Sequence, residues 1–491
     1  MDSQLTTIRQ IPNWIDGKEL LSVAQTRFKK INSHNGLVDA EFFVSSAEDV
    51  RQAVGIAHVA FPAWSSMTPV ARGSILGAWV RLMREHQQEL ADIVVRETGK
   101  PPQDAMGEVG GAIAQGDYFA GEGMRLYGRS LTSGMPNKYS HTVRQPRGVA
   151  GLIVPANTPI ANIAWKVFPA LICGNTVVLK ASEDAPEIAV RMARLATQAG
   201  LPSGVLNVIH GTGDPTGKAL VEDVRVAVIS FTGSTAVGRW IAEVAGRRLA
   251  RVSLELGGKN AFVVCDDADL DAAVHWASLS AFSNAGQRCA AGSRILVADV
   301  IYDVFVERLV AKARSLKIGI DAGCDLGPVM NSLQQANIFA AIGRAVSAGG
   351  RVLCGGKAPE TDELKNGCYV EPTLIDQLPE GAELYALEIF GPVATVQRVR
   401  DVAHALQIAN ASEYGLTSAI HTRSVDRAMW FAQRVRAGVV NINIGTYGSE
   451  PHMPFGGFGA SGNGTREPGV EALDVYSELK NISILVRSES I

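Results

Sequence analysis

From Gly148 onward the chain alternates short, β-branched apolar runs with longer helical segments, and that alternation leaves few folds open. The runs are 149–154, 176–179, 205–209 and 226–231, separated by helical segments over 159–172, 186–199 and 214–222. Strands that are apolar throughout and joined by helices are buried on both faces, which predicts a parallel sheet covered on each side. A second block repeats the pattern, with strands near 261–265, 294–297, 351–354, 393–399 and 416–421 and helices over 269–285, 300–316, 333–348 and 402–410. In the first block the third strand runs into a turn holding Gly211, Gly213 and Gly217, the fourth into one holding Gly233 and Gly238. Glycine turns between strand and helix are where a doubly wound sheet receives phosphates. Any tight strand–helix turn also needs glycine, and the usual Gly-x-Gly-x-x-Gly after a first strand is missing.

The N-terminal third reads differently. Residues 1–45 suggest short strands and turns, with a hairpin tip at Asp16-Gly17. Ser45 and Glu48 have capping-box spacing and open a helix with Val50, Val54, Ala57 and Phe61 on one face. One long helix is expected over 69–98, stopped by Gly99 and Pro101-Pro102. A small-residue-rich helix follows over 104–121, its glycines implying close packing or a nearby pocket. Residues 128–147 and a terminal strand at 482–487 each look like a sheet edge in need of a partner.

A length of 491 residues suits about three domain-sized units. With a net charge of -3 and basic residues spread along the chain, there is no electrostatic case for nucleic acid or an anionic membrane. No apolar run reaches transmembrane length, and residues 1–7 lack the pattern of a signal peptide. The six cysteines show neither CxxC spacing nor a dense framework, which suits reduced thiols in a cytoplasmic protein and no metal site.

One cysteine stands apart. Cys289 follows Gly286-Gln287-Arg288, and the arginine's charge is expected to favour thiolate. Glu255 lies beside Gly257-Gly258, so a nucleophile and a base in neighbouring segments suggest covalent catalysis. Taken singly, each residue has a plainer reading. A cysteine among small residues usually fills a gap, and Asn157 before Thr158-Pro159 suits a turn. Glu255 and Glu388 could be surface carboxylates, Lys166 and Glu467 a surface ion pair, and Trp165 and Phe455 core aromatics.

The residues gain weight together. Val-Pro155-Ala-Asn157, Lys180-Ala-Ser182-Glu183, Phe231-Thr-Gly233-Ser234, Glu255-Leu-Gly-Gly, Gly-Gln-Arg288-Cys289, Glu388-Ile-Phe390-Gly-Pro and Pro-Phe455-Gly-Gly come in order along the chain. In that order and spacing they resemble the NAD(P)-dependent aldehyde dehydrogenase superfamily over essentially the whole length. The resemblance implies an α/β fold: a Rossmann-like cofactor domain (1–127 and 147–257), an α/β catalytic domain (258–461) and a small β oligomerisation ribbon (128–146 and 477–491). It implies oxidation of an aldehyde to its acid through a thiohemiacetal and a thioester on Cys289. Asn157 would be an oxyanion donor, Glu255 the base that activates water, and Lys166 and Glu467 parts of a proton relay. Cofactor contacts would come from Lys180, Ser182, Glu183, Gly213, Phe231, Gly233, Ser234, Val237, Leu256, Glu388 and Phe390. Glu183, a carboxylate at the adenine-side ribose, favours NAD over NADP. Trp165, Arg288, His452 and Phe455 would line the substrate site. The likeness is nearest to semialdehyde-oxidising members, so a small anionic semialdehyde is the expected substrate, with Arg288 either holding its acidic tail or bracing the loop. Homodimers or homotetramers are the expected assembly. A CoA-acylating dehydrogenase and a non-catalytic relative of the same fold remain alternatives, though Glu255 argues against the first and the presence of both Cys289 and Glu255 against the second. A cysteine hydrolase would need a positioned histidine, and none of the nine lies in such a motif.

Overall fold

The computed structural model describes residues 8–22, 24 and 26–487; residues 1–7, read above for a signal peptide, and 488–491, the end of the expected ribbon, lie outside the described residues. Two seven-stranded sheets dominate. In the first, Arg251–Glu255, Val226–Thr232, Val149–Ile153, Thr176–Lys180 and Leu206–Ile209 lie side by side in that order, all parallel. Asn13–Ile15 and Lys18–Leu20 extend it antiparallel as the expected hairpin, with positive φ at both Asp16 and Gly17 as its tight turn requires. The chain starts the parallel part of this sheet in the middle, builds outward through Thr176–Lys180 and Leu206–Ile209, then returns to build the other way. The order therefore reverses between Val149–Ile153 and Val226–Thr232, and the crevice beyond their carboxyl ends is where such sheets bind ligands.

The second sheet runs Arg351–Cys354, Thr373–Asp376, Val393–Val399, Arg294–Ala298, Ala261–Val264, Thr417–His421 and Val439–Ile442, parallel except for the first strand. Thr373–Asp376, Val439–Ile442 and Arg251–Glu255 were not anticipated from sequence; each is short and gains its place by pairing. The helix Val425–Ala432 also escaped notice.

Several boundaries differ from expectation for local reasons. The first long helix, Ala47–Ser66, is capped by Ser46 and Asp49, whose side chains each accept from the other's backbone N–H, and not by Ser45 and Glu48. Ser45 is instead buried and bonded to Asn13. The stretch expected as one helix over 69–98 is two, Pro69–Glu85 and Gln87–Thr98, because His86 leaves helical geometry (φ −102°, ψ 20°). The helix rich in small residues spans Pro102–Glu122. The terminal strand is Ser477–Leu485, longer than expected, and it pairs antiparallel with Lys138–Pro146 of the same chain. The two presumed lone edges thus satisfy one another, leaving one edge of Ser477–Leu485 unpaired among the described residues. Among the described residues no helix is long and apolar enough to cross a membrane, and all six cysteines are free.

Candidate active site

Cys289 sits where two cavities meet. One, of about 380 Å³, opens at the reversal point of the first sheet and is lined by Pro155, Thr232, Gly233, Ser234, Glu388 and Phe390 among others. The other, of about 440 Å³, is lined by Asp104, Glu108, Gln115, Arg288, Tyr447 and Phe455 among others. Asn157, Thr158, Ala161, Trp165 and Cys289 belong to both. Cys289 thus borders both spaces.

The loop that presents Cys289 is shaped locally. Asn284 and Ala285 adopt left-handed conformations (φ 53° and 52°), unusual for a residue with a side chain. The neighbourhood holds them there: Asn284 donates to the carbonyls of Asn157 (3.1 Å) and Gln287 (3.2 Å), and the Asn157 amide donates to the Gln287 carbonyl (2.9 Å). A side-chain amide has two hydrogens, so Asn157 keeps one beyond that bond.

Charge at the cleft departs from expectation. Burial first, then Glu388 and Glu255, push the Cys289 thiol up to about 12. Arg288 pulls the other way and is the smallest influence, so it does not make a resting thiolate. Glu255 is buried, ends the strand Arg251–Glu255, and neither carboxyl oxygen has a hydrogen-bond partner among the described residues. Burial and the nearby Glu467 raise it well above the ordinary carboxylate range. Gly456 (φ 150°) lies so close that a Cβ there would stand 2.7 Å from a Glu255 carboxyl oxygen.

Behind Glu255, Lys166 and Glu467 form a wholly buried ion pair at 2.8 Å, so the surface-pair reading fails. Lys166 also donates to Ser230 (2.7 Å), and Ser230 and Ser253 both donate to Glu467 (2.7 and 2.9 Å). Such a pair needs these extra bonds, since burying two charges costs several kcal/mol per ion by order of magnitude.

In the first cavity, burial lifts Glu388 to about 7, while the Gly258 N–H donates to it at 3.1 Å. A Cβ at Gly257 would lie 2.0 Å from the Glu388 carboxyl, so a larger residue there would have to push that side chain aside. Phe390 has φ 56°, its carbonyl held by Gln334 at 3.1 Å. Ser234 caps the helix Thr235–Gly246 by accepting from Val237 N–H, and Val237 itself is exposed. Phe231 and Leu256 pack beneath Gly233 and Gly238. Lys180 pairs with Glu183 at 3.2 Å, Ser182 accepts from Asp184 N–H, and Gly213 opens the turn Gly213–Gly217, whose last glycine faces Lys180. That group lies toward the far side of the sheet, outside the cavity's lining.

In the second cavity Trp165 and Phe455 meet edge to face with ring centroids 5.4 Å apart. Arg288 lies over Tyr447 at 4.8 Å and donates to Ser283, in no ion pair with a described carboxylate. His452 is misplaced by the sequence reading: it is exposed, near Glu450, and does not line the cavity. Asp104, Glu108 and Gln115 were missed. They recur with Gly111 at i, i+4, i+7 and i+11 on the helix Pro102–Glu122, so a polar stripe was the available signal.

Comparison with known proteins agrees with this architecture. Residues 21–482 match the aldehyde dehydrogenase family. The chain is 39% identical to succinate-semialdehyde dehydrogenase [NADP(+)] GabD of Escherichia coli, covering 89% of this chain and 90% of that protein. It is 38% identical to glutarate-semialdehyde dehydrogenase of Pseudomonas putida, covering 96% and 97%. The structure of PnpE from Pseudomonas sp. WBC-3 superposes with a TM-score of 0.95 at 38% identity over 98% of this chain and 99% of that one. The chain belongs to the aldehyde dehydrogenase family and is an NAD(P)-dependent enzyme of it.

Proposed function

We propose that this enzyme oxidises a small aldehyde with an acidic tail, by nucleophilic attack of Cys289, and that it prefers NAD. The carrying observation is the meeting of the two cavities at Cys289, with Asn157 shared between them. The cofactor fits the first cavity, because Ser234 opens a helix N-terminus there and Gly257 leaves room beside Glu388. Glu388 and Phe390 would hold its nicotinamide end; Lys180, Ser182, Glu183 and Gly213 its adenine end; Phe231, Gly233, Val237 and Leu256 would shape the turn between. Bound NAD(P) supplies a hydride acceptor.

The chain's own residues do the rest. Cys289 passes its thiol proton to solvent water in the cavity and adds to the aldehyde carbon, forming a thiohemiacetal whose oxyanion accepts a hydrogen bond from the free amide N–H of Asn157. After hydride loss the acyl group remains on Cys289 as a thioester. Glu255, with no bond to break, takes a proton from the water that hydrolyses it. Lys166 and Glu467 would carry that proton away from Glu255. Trp165 and Phe455 exclude solvent from the aldehyde, and Arg288 holds its acidic tail. NAD is favoured because Glu183 would repel a 2′-phosphate; the Escherichia coli relative is named for NADP(+), while PnpE is among the similar structures solved with NAD.

On this reading 1–127 with 147–257 bind cofactor and 258–461 carry the nucleophile. Residues 128–146 with 477–491 join copies into a homodimer or homotetramer. Six free thiols suit a reducing cytoplasm. The test is Cys289→Ala with NAD and succinic semialdehyde, followed by absorbance at the NADH band. NAD binding is retained and turnover falls to background; substantial remaining turnover would overturn the assignment.

A further inference from the structure

Two buried ionic side chains of the second cavity have no part in the chemistry above. Lys100 follows the helix Gln87–Thr98 and Glu108 lies on Pro102–Glu122; their side chains are 4% and 6% exposed and 2.5 Å apart. A buried pair is costly unless its remaining donors and acceptors are used, so where those go shows what the pair holds.

They go to Asn157 and the helix behind it. Lys100 Nζ donates to the Asn157 carbonyl at 2.8 Å. The other Glu108 oxygen accepts from the backbone N–H of Ile160 (3.1 Å) and Ala161 (3.3 Å). These are orphan donors at the start of the helix Pro159–Ile172, whose own N-cap, Thr158, makes no side-chain capping bond. Glu108 therefore caps a neighbouring helix, where a carboxylate also suits the helix dipole.

The far side of the contact is equally fixed. Asn284 supplies the second donor to the Asn157 carbonyl, and Gln287 accepts from the Asn157 amide. Gln287 in turn donates to the Pro328 carbonyl (3.3 Å) and accepts from Met330 N–H (2.8 Å). Pro328 packs against Gly99, next to Lys100, closely enough that a Cβ there would lie 2.5 Å from its ring. A closed ring of contacts thus runs from Lys100 through Asn157 and Gln287 to Pro328 and back.

We propose that Lys100 and Glu108 are positioning residues, which act through Asn157 to fix its amide relative to Cys289. This rests on the reading of Asn157 as the oxyanion donor. Lys100 supplies a bond that sets where the Asn157 backbone lies, and Glu108 sets where the helix following it begins. A shift of about 1 Å in such a group can cost on the order of 10²-fold in rate without touching substrate.

The experiment measures single-turnover NADH formation with saturating NAD and two aldehydes of equal length, one neutral and one carboxylate-tailed. The variants are Lys100→Met, Lys100→Arg and Lys100→Met/Glu108→Gln, each in the native and Asn157→Ala backgrounds. The double variant leaves no unpaired buried charge and carries the same readouts if Lys100→Met fails to fold. The expected result is a fall on the order of 10²-fold in the single-turnover rate for both aldehydes, with KM unchanged and partial recovery in Lys100→Arg. In the Asn157→Ala background the same changes cost little more, as coupled residues should. Losses that multiply across the two backgrounds overturn this proposal alone. A rise in KM confined to the acidic aldehyde also overturns it, by making Lys100 a substrate contact. If Asn157→Ala by itself leaves the single-turnover rate intact, the oxyanion reading fails, and the positioning role with it.

Discussion

Arg288 shows how far one side chain's role depends on what surrounds it. Its charge does little for the Cys289 thiol, because burial outweighs it and two carboxyls oppose it. The guanidinium lies over Tyr447, beside the second cavity, with its Nε donated to Ser283 and no described carboxylate paired to it. A planar cation with N–H groups to spare suits a carboxylate, which can accept two parallel bonds. Arg288→Leu should raise KM for a dicarboxylic semialdehyde by about tenfold or more, at least roughly 1.4 kcal/mol, and hardly affect a neutral aldehyde of equal length. Parallel kcat/KM measurements on the two substrates check this. Equal losses would show that the arginine only braces the loop.

Among the elements, Ser477–Leu485 carries the clearest unmet demand. Its inner edge is paired along its length with Lys138–Pro146, but its outer edge has no neighbour among the described residues. Leu479, Ile484 and Leu485 are all more than half exposed. An open edge with apolar side chains invites another strand, and a second copy of this chain can supply one. Leu479→Lys/Ile484→Lys should therefore shift the protein from dimer or tetramer toward monomer in light scattering at micromolar concentration, with the fold's circular dichroism retained. A native protein already monomeric under those conditions would sink the assembly reading.

At the scale of the whole molecule, stability should respond to acid through buried histidines. His421 is buried, stacked on Phe262 with centroids 4.6 Å apart, and bonded through Nε2 to the Ile444 carbonyl at 3.1 Å. Burial lowers it from 6.5 to about 4, despite the carbonyl bond and Asp269; His210 is lowered to about 4 likewise. Between pH 6.5 and 4 the unfolded chain takes up protons that these folded histidines refuse. Their contribution is present above 6.5 and lost as pH falls toward 4. Glu97, raised to about 8 by burial, acts oppositely, favouring the folded state as pH falls through 8. Because Glu97 and Glu388, raised to about 8 and about 7, oppose the histidines, His421 is read as a difference: in thermal melts from pH 8 to 4, Tm of the native protein should fall below pH 6.5 relative to that of His421→Gln, which keeps a donor for Ile444. An acid limb of equal slope in both proteins would rule His421 out.

Periodicity in the sequence was enough for the parallel sheets, since strands apolar on both faces have no other stable setting. Motif order was enough to single out Cys289, Glu255 and Asn157 as candidates, because residue type and spacing survive without coordinates. What it could not supply were quantities set by neighbours distant in the chain. The thiol's charge state depends on Glu388 and Glu255, and the Lys166–Glu467 pair spans 301 positions. His452 looked like a substrate contact from its place in a loop, yet the loop turns it outward. Short strands such as Val439–Ile442 exist because a partner is present, and the partner is chosen by the fold. Lys100 and Glu108 look like any charged pair eight residues apart. Only packing buries them, and burial is what turns a surface charge into a fixed bond on Asn157.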